Sequence, residues 1–402
     1  MTIDVRPCSS REELKQAVAP IWHFFGGTPT DERVERFAAV LPPERMLAAW
    51  VDGAVAGGAG AFPFELTVPG GRLRAAGITV VGVFPTHRRR GVLRAMMRSQ
   101  LDQAHENGEP VAYLWASEET IYGRFGYGLA SLAGSFDLRR DRAAFAQGFE
   151  RRGRLRLIEP DDAVELIAPV YDAVAAETPG MFRRTREWWE SRVLPDPEFR
   201  RGGGGEMQRV VVETDGRAEA YALYRLHMSF EAGLPTGFTN VIEAMGLTPE
   251  ATREIWRYLF DIDWMNSIKA GLLPVDHPLL FLLGEPRRLG LRVTDALWVR
   301  LVDVGAALAA RSYGEGQSLV IEVVDGFCPW NEGRYCVPGG ERTDAEPDLR
   351  ADVTTLASVY LGGFTFAELA RALRVEELSP GAIARADTLF RADRAPWCPE
   401  IF

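Results

Sequence analysis

The sequence predicts an α/β fold with mixed (α+β) sheets, laid out in three consecutive segments. Three observations predict it. Strand-like and helix-like stretches alternate from the N-terminus onward. The strand-then-helix opening of the chain returns in "LRLIEPDDAVELIAPVYDAVAAE", which starts at Leu155. Finally, Gly246-Leu-Thr-Pro249 can be laid on Gly82-Val-Phe-Pro85, each followed by a helical pattern containing arginine. At 402 residues the chain has room for about two or three domains.

In the first segment, Ser10 and Glu13 form a Ser-x-x-Glu helix start. The stretch that follows, "MLAAWVDGAVAGGAGAFPFELTVPGGRLRAAGITVVGV", reads as strands folded back on one another at Asp-Gly and Gly-Gly turns. A helix is expected over 92–105, with Leu93, Met97, Leu101 and Ala104 on one face and Gly108 and Pro110 as its stop. "PVAYLWAS" then reads as a strand able to run parallel to the one before the helix. The glycine-rich "IYGRFGYG" leads into a last strand, "ASLAGSFDL".

The second segment contains a flexible loop at 201–206, a hairpin "RVVVETDGRAEAYALYRL", and the strand and helix that echo the first segment. That second copy lacks the run of arginines. The third, from about residue 291, opens with the strand and helix "LWVRLVDVGAALAAR". It continues with the half-buried strand "SLVIEVVDG" and three short helical pieces. The expected domains are therefore 1–150, 151–290 and 291–402.

A formal net charge of −10 argues against a nucleic-acid partner and suits cationic substrates. The N-terminus has no apolar run like that of a signal peptide, and "PLLFLLG" is too short to span a bilayer. The expectation is a cytoplasmic protein without a membrane partner. Cys8, Cys328, Cys336 and Cys398 match no zinc spacing and read as reduced thiols. The five histidines include no H-x-x-x-H pair, so no metal is expected.

The chemistry-bearing stretch is "TVVGVFPTHRRRGVLR". A helix N-terminus leaves N–H groups without partners and carries partial positive charge, so it accepts anions, phosphate above all. Glycine permits close approach, and arginines add charge-assisted bonds to phosphate oxygens. The plainer alternative is a solvated basic helix start. Pro85 ends the preceding strand sharply.

The pattern Val81-x-Val83-x-Pro85-x-x-Arg88-Arg89-Arg90-Gly91-Val92 resembles the acetyl-coenzyme A motif of the GNAT N-acetyltransferase superfamily. "IYGRFGYG" resembles that superfamily's aromatic motif, with Tyr122, Gly126 and Tyr127 in matching places. The length, the degenerate second copy, the third segment and the terminal Phe402 resemble the enhanced intracellular survival (Eis) family. That resemblance covers the whole chain. It implies two tandem GNAT-like domains, the second degenerate, and a C-terminal domain like the sterol carrier proteins. It also implies transfer from acetyl-coenzyme A to amines, aminoglycosides among them, and a hexamer.

Carried over residue by residue, the resemblance assigns Arg89, Arg90, Gly91 and Arg94 to the pyrophosphate, and Val92 and Leu93 beside them to the coenzyme. Val81, Gly82 and Val83 fall on the strand beside the thioester, where the Val83 N–H would polarise the carbonyl oxygen. Ser117 and Glu118 would contact the coenzyme or, alternatively, cap a helix. Tyr122 would protonate the leaving thiolate, the alternative being a core tyrosine; Tyr127 reads as that packing residue. Trp22, Phe24 and Phe25 would line the amine side or pack hydrophobically, and "IWHFFGG" offers His23 and no carboxylate there. The Phe402 carboxylate would act as general base, or its ring would merely plug a groove. The leading reading is an acetyl-coenzyme A-dependent N-acetyltransferase acting on a primary amine of a cationic small molecule or a lysine side chain. The alternatives are a non-catalytic acyl-coenzyme A sensor and a lipid carrier.

Overall fold

A computed structural model describes residues 2–402. Strand β1 (Ile3–Pro7) leads into helix α1 (Arg11–Phe24), where Ser10 accepts the Glu13 N–H as the Ser-x-x-Glu pattern requires. The Glu13 carboxylate turns to Ser9 and Arg6. After α2 (Asp31–Ala38), the alternating stretch forms β2 (Met46–Val51), β3 (Ala54–Val68) and β4 (Gly71–Val83), an antiparallel meander. Asp52 and Gly53 both take positive φ, 51° and 84°, as the Asp-Gly hairpin predicts. Helix α3 (Val92–Glu106) connects β4 to β5 (Val111–Trp115), which runs parallel to it. The short helix α4 (Glu119–Tyr122) and β6 (Gly128–Leu129) follow.

By its contacts the chain forms two compact units. Leu132–Asp295 and Trp397–Glu400 make one of them; the other holds the residues up to Ser131, Ala296–Pro396 and Ile401–Phe402. Two strands lie elsewhere than their sequence position implied. Leu132–Arg139, expected to close the first segment, pairs in the other unit, between the strands Met265–Leu273 and Arg292–Asp295. Leu297–Leu301, expected to open the third segment, enters the first sheet between β5 and β6. The reason lies in β5: Val111, Ala112, Tyr113 and Leu114 are fully buried, and the two-residue β6 cannot cover that edge. Leu297, Val299 and Leu301 supply the missing ladder and are themselves buried.

The first unit's main sheet therefore has seven strands among the described residues, with β4 and β5 at neighbouring positions near its middle. The same unit carries a smaller four-stranded sheet built from Leu319–Val324, Gly333–Val337, Leu349–Asp352 and Val375–Glu377. The three helical pieces of the third segment become Val353–Tyr360, Phe366–Arg371 and Ala382–Phe390.

The second unit repeats the plan. Along its strands, Val210, Val212, Ala220, Ala222 and Tyr224 pack with Trp256 of the helix Pro249–Asp261. The alternate residues Val211, Tyr221 and Leu223 pack with Tyr171 of the helix Ala163–Glu177. The period of two thus sends one set to each face. Among the described residues no helix is long and apolar enough to cross a membrane.

Candidate active site

β4 does not run straight. Thr79 faces Gly60 and Gly82 faces Gly58, so Val80 and Val81 stand opposite the single residue Ala59. This is a bulge, and Val80 takes φ 46° to make it. A β-branched residue in the left-handed region is strained, and such strain gathers at functional sites. β4 pairs with β5 over Ala75–Gly77 and Val111–Tyr113; past that point the two strands no longer pair with each other.

The register then fixes where the Val83 N–H goes. Phe84 donates to the Ala56 carbonyl at 2.9 Å, on either side of the facing pair Val83 and Gly57. Val83 is therefore at a non-hydrogen-bonded site of the β3–β4 ladder, and its N–H turns away from β3, toward the side where β5 has separated.

Beyond β4 the chain makes a single turn at Pro85–His87 and then the arginine loop. Arg89 takes φ 61° and Gly91 φ 87°, so closely spaced peptides present left-handed kinks that a non-glycine residue resists. Gly91 occupies the N-cap of α3 with no side-chain cap bond, which leaves the first N–H groups of that helix available. The corresponding helix of the second unit differs here: Thr248 caps it and accepts the Ala251 N–H. The second copy has thus closed the end that the first copy keeps open.

Arg88, Arg89, Arg90 and Arg94 are exposed. Among the described residues, Arg89 and Arg90 have no acidic partner. Arg88 lies over the Phe24 ring at 4.4 Å and Arg94 over Phe327 at 5.1 Å. Val92 is buried against Ala49, Val51, Ala56 and Ala59, and Leu93 is half-buried beside them, so these two offer the loop their backbone only. Ser117 and Glu118 follow β5 and are exposed. Glu118 holds the N-cap position of α4 without a side-chain cap bond, so the capping alternative is not realised.

Tyr122, the last residue of α4, is 8% exposed and meets Tyr127 edge-on at 5.7 Å. Burial, with the Glu118 charge nearby, pushes its phenol up from 10.0 to about 12, and at neutral pH it holds its proton on either value. Tyr127 is fully buried, as expected of the packing residue, and its hydroxyl has no partner among the described residues. The Phe402 ring packs edge-on to Phe64 at 5.1 Å and to Tyr113 at 4.9 Å. Tyr113 is paired with Gly77, the last point where β4 and β5 hold together.

The C-terminal end of α1 is brought to the arginine loop only in part. Phe24 reaches Arg88, and His23 meets the Phe84 ring at 6.1 Å. Trp22 is half-buried, whereas Phe25 is 71% exposed, so hydrophobic packing does not account for it.

Sequence reasoning missed the contribution of the third segment. Arg300, fully buried on the strand Leu297–Leu301, pairs with Asp325 through Nη2 at 2.6 and 2.8 Å. Its guanidinium lies where a Cβ on Gly126 would stand. Asp325 also accepts the backbone N–H groups of Phe327 and Cys328 and the Asn331 amide. Phe327, Cys328, Tyr122, Phe125 and Tyr127 then share one core. No local pattern marks these residues, because their partners are distant in sequence. Among the described residues no group of three or more His, Cys, Asp or Glu is placed to hold a metal.

Residues 4–130 match a family model described as an acetyltransferase (GNAT) domain. Residues 180–301 match a second such model, and residues 304–399 match a sterol carrier protein domain. An uncharacterised N-acetyltransferase of Streptomyces avermitilis is 41% identical, with 100% of each chain covered. The N-acetyltransferase Eis of Mycobacterium tuberculosis is 34% identical over 82% of this chain and 81% of its own. Among solved structures, Eis1 of Mycobacterium abscessus superposes with a TM-score of 0.86 at 35% identity, covering 99% of this chain and 100% of that one. A GCN5-related N-acetyltransferase of Anabaena variabilis, at 20% identity and a TM-score of 0.85 over 100% of both chains, shares the fold.

Proposed function

Because the chain belongs to the Eis family of GNAT N-acetyltransferases, we propose that it transfers acetyl from acetyl-coenzyme A directly to a primary amine within a ternary complex. The acceptor is a cationic small molecule, aminoglycoside-like or polyamine-like, or a lysine side chain. The observation that carries this reading is the uncapped N-terminus of α3, with Arg89 and Arg90 unpaired among the described residues, directly after the strand that parts from β5. Backbone N–H groups and two free guanidinium groups suit a pyrophosphate, and the parted strands leave room for an extended thioester arm.

In the proposed mechanism the residues divide the work. The arginine loop, with Gly91, Val92, Leu93 and Arg94, binds the phosphates, and Ser117 and Glu118 border the arm beyond β5. The Val83 N–H, on the strand segment Val81, Gly82, Val83, donates to the carbonyl oxygen as negative charge develops there. The amine nitrogen forms a bond to the carbonyl carbon while the carbon–sulfur bond breaks. The Phe402 carboxylate takes the proton that the amine loses, and Tyr122, protonated at neutral pH, gives its proton to the departing sulfur. Phe24, with Trp22 and Phe25, borders the acceptor side. Catalysis centred on the first expected domain, 1–150, with Phe402 contributed by 291–402 and with 151–290 as a support, is part of the same proposal. So are the hexamer and the cytoplasmic location, the latter in keeping with four free cysteines. The formal charge of −10 favours cationic acceptors.

The test is thiol release from acetyl-coenzyme A across a panel of polyamines, aminoglycosides and lysine peptides. Release that depends on an added amine supports the proposal. Turnover with none of them would sink the choice of acceptor class.

A further inference from the structure

Phe327 stands in the turn between the strands Leu319–Val324 and Gly333–Val337, in the part of the chain that matches a sterol carrier protein domain. It is nevertheless 8% exposed, with its ring against the first segment. Its edge-on contact with Phe125 measures 5.2 Å. Two guanidinium groups from successive turns of α3 lie over the same ring, Arg94 at 5.1 Å and Arg98 at 4.6 Å.

The turn is firmly held. Asp325 accepts the Phe327 and Cys328 N–H groups while paired with the buried Arg300. Arg98 donates to the Phe327 carbonyl and, at 3.2 Å, to Cys328 Sγ, and the Trp330 indole N–H donates to the Val302 carbonyl at 2.8 Å. A rigid aromatic face is thus presented to an arginine that is otherwise exposed. An arginine on a solvated helix surface samples many rotamers, and a cation–π contact restricts it without neutralising its charge. An acidic partner would have held Arg94 too, but would have competed with phosphate for it.

We propose that Phe327 is a positioning residue for the coenzyme, fixing the Arg94 guanidinium for phosphate. The inference rests on the reading that the start of α3 takes the coenzyme phosphates. It gives the sterol-carrier-like domain a part in acetyl transfer that requires no lipid.

The test uses the full chain and two donors: acetyl-coenzyme A, and S-acetylpantetheine, which has the thioester arm and no phosphate. Phe327→Leu raises KM for acetyl-coenzyme A roughly three- to tenfold, the scale of one cation–π contact. It leaves KM for S-acetylpantetheine unchanged, whereas a general loosening of the fold would affect both. Phe327→Tyr, which keeps the aromatic face, restores the wild-type KM. In an Arg94→Ala background, Phe327→Leu adds nothing. Should Phe327→Leu not fold, pentafluorophenylalanine at position 327 keeps the shape while reversing the charge of the ring face, and the same selective rise is expected. Equal effects on both donors, or full additivity with Arg94→Ala, overturn the inference alone. An Arg94→Ala variant with unchanged affinity for acetyl-coenzyme A overturns both the inference and the assignment of Arg94 to the coenzyme.

Discussion

The ring of Phe402, the last residue of the chain, meets the ring of Tyr113 edge-on with centroids 4.9 Å apart and planes at 66°. Tyr113 is paired with Gly77 at the last rung between β4 and β5, and a Cβ on Gly77 would come within 3.4 Å of the Phe402 ring. The terminal ring therefore sits at the fork where the two strands part, 7% exposed, although Ile401 before it is 59% exposed. A free tail would fray; this one is held at its last residue.

That position leaves both roles open to Phe402. A plug needs the ring, and a base needs the terminal carboxylate. Adding one or two small residues after Phe402 keeps the ring and moves the charge. Such an extension is expected to abolish acetyl transfer while the thermal midpoint and coenzyme affinity stay near wild type. Normal turnover by the extended chain would show that the carboxylate is not the base.

Arg89→Ala combined with Arg90→Ala is expected to weaken acetyl-coenzyme A binding by roughly tenfold or more, the scale of lost charge-assisted hydrogen bonds. Both side chains are exposed and, among the described residues, lack acidic partners, so stability should not change. Calorimetric titration and a melting curve on the same preparation check both halves. Unchanged affinity would leave the loop as a solvated basic surface.

Tyr122→Phe is expected to keep coenzyme affinity and lose about 10²- to 10⁴-fold in kcat, the usual contribution of a general acid. Tyr127→Phe is the control: its hydroxyl has no partner among the described residues, and the change should be small. A Tyr122→Phe rate within a few-fold of wild type would mean that the thiolate leaves without this proton.

The same phenol predicts a pH dependence of stability. A tyrosine titrates near 10.0 in the unfolded chain, and burial raises Tyr122 to about 12 in the fold. Below pH 10 both states hold the proton, and the group is neutral to stability. Between about 10 and 12 the unfolded chain ionises while the fold resists, so stability falls as pH rises. Urea midpoints measured at pH 9 and at pH 11 should show this fall, with a shallower slope in Tyr122→Phe.

Arg300→Met should destabilise the protein by about 3–5 kcal/mol, because it strands the Asp325 carboxylate, 2% exposed, without its counter-charge. Chemical denaturation reads the loss. A change under about 1 kcal/mol would mean that the three neutral donors to Asp325 are enough to hold it.

Local pattern settled much of this protein. The Asp-Gly and Gly-Gly turns, the apolar face of α3 and its glycine start, and the Ser10 cap are each short-range effects, and all are legible in the sequence because neighbouring residues alone decide them. The arginine loop was legible for the same reason: charge, glycine and helix start lie within a few residues. What the tertiary structure decided was long-range. The strand Leu297–Leu301 fills the edge of β5, while Leu132–Arg139 leaves for the second unit. Thr248 caps the second copy's helix and so distinguishes it from α3. Phe402 reaches the fork between β4 and β5, and Phe327 reaches Arg94. Each of these joins residues far apart in the chain, where the outcome depends on which buried edge or apolar face has no nearer partner. Sequence periodicity records that a face is apolar, but not what will cover it.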